Sequence, residues 1–190
     1  MRRMIFFFIF YISGCTLSNY SPVLISVAEE TDYPKMQHIR IERWGEVKFN
    51  GILAIRGTKE GVHYALIDGT GVKLLQAWAD ARGDHKAIEP IGPLAQKGIA
   101  PFISEAIARI YLVEPSESPC SGQGFFSVCV IDEGNSLRKK TGTFAGITYW
   151  VVENELKPTH SNGSSADKYT QYSQPWLGVE IFLREFLKKE

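Results

Sequence analysis

The chain has 190 residues and balances 21 Lys and Arg against 21 Asp and Glu. With no basic stripe to neutralise phosphates, the sequence argues against a nucleic-acid partner. Behind the amino-terminal region roughly 155 residues remain, the length of one ordinary domain.

The chain opens MRRMIFFFIFYISGC. Arg2 and Arg3 form a positive start, and Ile5 to Ile12 form an apolar run. A membrane-crossing helix needs roughly 20 apolar residues, so this run is too short to span. Its length suits the apolar region of a cleaved export signal. Ile12-Ser13-Gly14-Cys15 resembles the bacterial lipobox: a branched aliphatic residue, two small residues, then cysteine. The resemblance implies cleavage before Cys15 and a diacylglyceryl thioether on its sulfur. The bland alternative is an ordinary segment in which ISGC occurs by chance. Each buried acyl methylene contributes about 0.8 kcal/mol, so a multiply acylated, palmitate-type anchor would hold firmly. Thr16, rather than Asp, follows the cysteine; by the same resemblance this implies the outer membrane, facing the periplasm. The expected organisation is a signal peptide over 1–14, a lipidated tether over 15–34 and a folded domain over 35–190.

The body of the chain reads mainly as strands. Glu46 to Arg56 begins with alternation that places Val47, Phe49, Leu53 and Ile55 on one face. Val62–Asp68 and Val72–Trp78 flank Gly69-Thr70-Gly71, whose glycines permit the positive φ of a tight hairpin. Ile99 to Leu112 predicts a helix, with Pro101 near its start and Pro115 beyond its end. Phe102, Ile103, Ala106, Ile107 and Ile110 make an apolar stripe at helical spacing, the mark of a helix lying on a sheet. Phe125–Asp132 and Phe144–Glu153 are β-branched and aromatic runs that predict two further strands. Lys168–Tyr172 fits a short strand, and His160 to Asp167 reads as a loop. Val179–Leu187 fits either period and is assigned to a strand because a strand series precedes it.

Two cysteines remain once Cys15 is taken by lipid. Cys120 and Cys129 flank Ser121-Gly-Gln-Gly124, a turn-favouring stretch, and predict a disulfide in an oxidising compartment. The alternative is two free thiols. No His or further cysteine pair stands at metal-ligand spacing, so no metal is expected.

The catalytic inventory is thin. The chain has no Gly-x-Ser-x-Gly elbow, His-Glu-x-x-His or phosphate-binding glycine loop. His38, His63, His85 and His160 are scattered, no base stands beside either cysteine, and Asp68 and Asp132 end strands as turn residues do. The expectation is a non-enzyme with no catalytic residue and no cofactor.

Several strands are apolar on both faces, as with Ile52 and Ala54 opposite Leu53 and Ile55. Such a sheet is either covered twice or lines a greasy hollow. The order of lipobox, tether, antiparallel strands, the hairpin ALIDGTGVKLLQAWAD, the mid-chain helix APFISEAIARIYL and further strands resembles the LolA/LolB-type envelope proteins, particularly LolB-like outer-membrane lipoproteins. The resemblance covers about Lys35 to Phe186 and its motifs are diffuse. It implies a curved antiparallel sheet, an open half-barrel, with a helix on the concave side and an acyl chain or lipoprotein ligand in the hollow. Phe49, Trp78, Phe102, Ile107 and Trp150 are the candidate lining. The alternatives are an envelope scaffold that contacts another protein and carries no ligand, and an unrecognised hydrolase.

Overall fold

In a computed structural model, the described residues are 34–186 apart from 83, 88–89, 96–97, 135 and 159–165. The expected signal, Cys15, nearly all of the expected tether and most of the His160 loop lie outside them. The described residues form eleven strands: β1 (Lys35–Arg43), β2 (Glu46–Thr58), β3 (Gly61–Asp68), β4 (Lys73–Ala79), β5 (His85–Ala87), β6 (Cys120–Gln123), β7 (Phe126–Glu133), β8 (Leu137–Phe144), β9 (Ile147–Pro158), β10 (Ala166–Gln174) and β11 (Val179–Glu185). Among these residues one α-helix, α1 (Ile99–Tyr111), lies between β5 and β6. All strands join one antiparallel sheet in the order β5-β4-β3-β2-β1-β11-β10-β9-β8-β7-β6. The first and last strands therefore pair at its middle, and its edges, β5 and β6, stay unjoined.

The sheet curls around α1. In a flat sheet β5 and β8 would stand about 38 Å apart, eight spacings of ~4.8 Å. Yet α1 packs on β4 and β5 while Lys140 of β8 bonds to the Ile110 carbonyl. A helix only ~10–12 Å wide can meet both only if the sheet bends about it. The fold is thus an open, curved antiparallel sheet with the helix in its hollow.

Alternation explains which residues face that hollow. Phe49, Leu53 and Ile55 of β2, Tyr64 and Leu66 of β3, and Leu75, Ala77 and Ala79 of β4 are buried against Ile103, Ala106 and Ile107 of α1. Val179, Ile181 and Leu183 continue the same layer from β11, so the carboxy-terminal segment is strand. Val47 departs from the expected face. It is exposed, because a bulge in the β1–β2 ladder between Ile41 and Glu42 shifts the register near the turn. Phe144 to Glu153 is also not one strand: Phe144 ends β8, and the chain reverses at Ala145-Gly146.

That reversal and the Trp44-Gly45 turn share a backbone form. Trp44 and Ala145 have φ of 54° and 50°, and the glycines after them 77° and 79°. Two left-handed residues give the reversal whose twist matches paired strands. A residue with a Cβ is unusual at the first position and costs about 1–2 kcal/mol there.

Candidate functional site

Two cavities open beside α1. The larger, about 600 Å³, lies at the amino-terminal half of the helix. Ile41, Phe49, Leu94, Phe102, Ile103 and Val179 line its interior, and exposed Arg43, Lys48 and Leu177, with Glu42, stand at its mouth. Its size falls within the roughly 300–1,000 Å³ of small-ligand sites. The helix enters this space through Gly98, whose φ is 92°, with no side chain capping the first turn. Pro101 fits that turn because the N–H it lacks has no partner inside the helix.

The smaller cavity, about 270 Å³, lies toward the other end of α1, between Arg109, Tyr149, Trp150, Val128 and Gly142. Its polar wall is a connected network. Buried Arg109 donates through Nη1 to the Tyr172 hydroxyl at 2.8 Å and to Gln174 Oε1 at 3.3 Å, and through Nη2 to Glu105. The guanidinium also stands 5.0 Å from the Tyr149 ring centre. The Tyr172 hydroxyl donates on to Gln174 Oε1 at 3.0 Å. Burial pushes the Tyr172 phenol up to about 12, so it stays a donor at neutral pH. Charge, hydrogen bonds and ring contacts all close within the cluster, as a buried guanidinium requires. They tie α1 to β10.

Three more contacts fix the helix. The Tyr64 hydroxyl and Ser104 Oγ stand 2.7 Å apart, and Tyr111 donates to Gln37 of β1. Lys140 reaches inward from β8 and donates to the carbonyls of Ile110 at 3.2 Å and Val113 at 2.7 Å, and to Glu114 at 3.3 Å. A cation here satisfies carbonyls left open at the helix end and meets the negative end of the helix dipole. Burial pulls its ammonium down to about 8 against the opposing influence of Glu114.

The five candidate lining residues divide. Phe49 and Phe102 share the large cavity. Trp150 lines the small one, with its indole over Gly142. Ile107 is fully buried under the helix and belongs to the core. Trp78 alternates with buried Leu75, Ala77 and Ala79, so it lies on the convex face, where it pairs with His63. The sheet parity of Trp78 thus removes it from the hollow.

Cys120 and Cys129 face each other across β6 and β7 and are joined by a disulfide. Asp68 Oδ1 accepts from Thr70 N, Thr70 Oγ1 and Val72 N, closing the β3–β4 turn. The Thr70 hydroxyl, with the backbone N–H groups, holds that carboxyl below the ordinary range. Among the described residues no group of three His, Cys, Asp or Glu comes together as metal ligands, and no helix is long and apolar enough to cross a membrane.

Sequence reasoning missed Arg109, Lys140, Tyr172 and Gln174. Arg109 carries a signal in hindsight: it falls inside the apolar stripe, between Ala106 and Ile110. Comparison with family models, curated proteins and solved structures finds no match to the chain.

Proposed function

We propose that this protein is an outer-membrane-anchored lipoprotein of LolB-like type, held by an acylated Cys15 and facing the periplasm, whose half-barrel holds an acyl chain. The observation that carries this reading is the cavity of about 600 Å³ beneath Phe102. Its lining is mostly apolar, and Glu42, Arg43 and Lys48 supply its charged groups. That pattern fits a single apolar tail with a polar head. Burying a tail contributes about 0.8 kcal/mol per methylene, so partial insertion already gives useful affinity. Binding of this kind needs no nucleophile or cofactor.

The scaffold reading has less support. A scaffold acting by strand addition would present a long free edge, whereas β5 has 3 residues and β6 has 4. Short edges are how sheets avoid such pairing.

The test is titration with a fluorescent fatty acid. Phe102→Glu is the informative variant, because Phe102 is half-buried on the cavity wall while Ile107 is core. Saturable binding by the wild type, weakened at least tenfold in the variant, supports the reading. Absence of saturable binding by a folded wild-type chain overturns it.

A further inference from the structure

The strand directions sort the links between paired strands to two ends of the half-barrel. Five of the links between paired strands lie at the end where β1 finishes: 44–45, 69–72, 124–125, 145–146 and 175–178; the longer connection from β5 to α1, partly outside the described residues, also starts there. None of the five contains a charged residue; they read WG, GTGV, GF, AG and PWLG. The links at the opposite end include Lys59-Glu60 and, between β4 and β5, Asp80, Arg82 and Asp84. The exposed aromatic and aliphatic residues follow the same division. Trp44, Phe125, Phe144, Ile147, Trp176 and Leu177 crowd the uncharged rim, with exposures from 41% to 74%. At the other end Met36, Ile131, Leu156 and Phe186 are scattered over strands and past the last one.

We propose that this uncharged aromatic rim is a membrane-docking edge that inserts into the interface of a phospholipid bilayer. The occupant follows from the rim's form. Its apolar groups stand on separate turn tips around an arc, not on a continuous groove that a protein segment would fill. A bilayer interface takes such tips at a depth of about 5–10 Å and favours tryptophan there. Trp176 is prepared for this environment: its Nε1 donates to the Thr148 carbonyl at 3.1 Å, so its polar edge already has a partner. Trp44 keeps a left-handed backbone that asparagine or glycine would adopt more easily, and its ring lies against Gly178. The first charged residues, Arg43, Glu46, Lys48, Asp68 and Lys73, lie just behind the tips.

Chain length permits the orientation. β1 begins at the end opposite the rim. The roughly 20 residues between Cys15 and Lys35 can reach up to ~65 Å when extended. The longest strand, β2, has 13 residues and measures about 44 Å. A chain anchored at Cys15 can therefore turn its rim to the membrane that holds it. Leu177 belongs to both the rim and the mouth of the large cavity. Docking would seat that mouth on the lipid, giving a tail a path that avoids water. The docking itself does not depend on what fills the cavity.

The experiment uses the full chain with vesicles of phosphatidylcholine brominated on the acyl chains. Two of the four tryptophans, Trp44 and Trp176, are on the rim. Rim insertion quenches about half of the tryptophan emission on vesicle addition, as interfacial tryptophans require. That loss disappears in Trp44→Phe/Trp176→Phe, which retains Trp78 and Trp150 as background. Failure to bind vesicles overturns the proposal. So does binding through the amino-terminal segment without rim quenching, or burial of the rim in a self-association seen by sedimentation. Fatty-acid titration of the same double variant separates the two readings: binding unchanged with quenching lost leaves the cavity reading intact.

Discussion

Trp150 lies flat against Gly142, its partner across β8 and β9, so closely that a Cβ on residue 142 would stand 2.2 Å from indole Cε2. The glycine gives the ring its seat. The ring in turn forms the floor of the small cavity beside Arg109. Gly142→Val should destabilise the fold by about 1–3 kcal/mol, the usual cost of overpacking. Urea unfolding measures the loss, and a red shift of Trp150 emission reports the displaced ring. A variant as stable as the wild type would mean that the indole has another resting place.

The buried Lys140 makes a pH prediction with a definite sign. Its ammonium titrates near 8 in the native state against 10.5 in a free chain. Between those values the unfolded chain holds a proton that the native one has released, so stability rises with pH. The upper limit of the gain is on the order of 3 kcal/mol. Tyr64 and Tyr172 act oppositely: burial raises both to about 12 from 10.0. Above pH 10 the unfolded chain loses phenolic protons first, and stability falls. The urea midpoint should therefore climb from pH 8, peak at about pH 10 and then decline. Lys140→Met should remove the climb and keep the decline. A climb that persists in the variant would assign it to another group.

Reduction of Cys120–Cys129 should act locally. The bridge closes a loop of 9 residues in sequence separation. Its entropic effect is at most roughly 2–3 kcal/mol. β6 is a short edge strand paired only with β7. Hydrogen exchange should quicken in β6 and the facing amides of β7, while Leu53 and Ile181 in the core keep their protection. Uniform acceleration would show that the bridge supports the whole sheet.

The proposed acylation of Cys15 is checked by labelling with a palmitate analogue in a bacterial host. Wild type should incorporate the label and appear at mature size, and Cys15→Ser should do neither. Label retained by the serine variant would place the acyl group elsewhere.

The strands that alternate openly were legible in the sequence. Gly69-Thr-Gly71 marks the β3–β4 hairpin, where Gly71 takes a φ of 88°, and the α1 stripe is plain from Phe102 to Ile110. What stayed hidden depends on partners distant in sequence. Leu137-Arg-Lys-Lys-Thr-Gly-Thr-Phe144 reads as polar surface, yet it is β8, and Lys140 is buried only because the helix end meets it. Trp78 and Phe49 look alike in composition; which face each occupies depends on register with neighbouring strands. The Ala145-Gly146 turn lacks the Asn or Asp that usually announces this reversal. The cavity is a property of how far the helix stands from the sheet, which no local pattern encodes.

The pairing of β1 with β11 has a temporal consequence. His38 meets Arg184 and Ile41 meets Ile181, so the middle of the sheet joins the earliest and latest parts of the domain to be synthesised. Each half can form its hairpins from neighbouring residues, but the seam between them must wait for the whole domain. Closure over so long a loop places the molecule among slow folders, on a scale of about milliseconds to seconds. Until the last strand arrives, the two halves share no completed core. A chain still emerging from the ribosome, or cut short before Val179, lacks the piece that joins one half to the other.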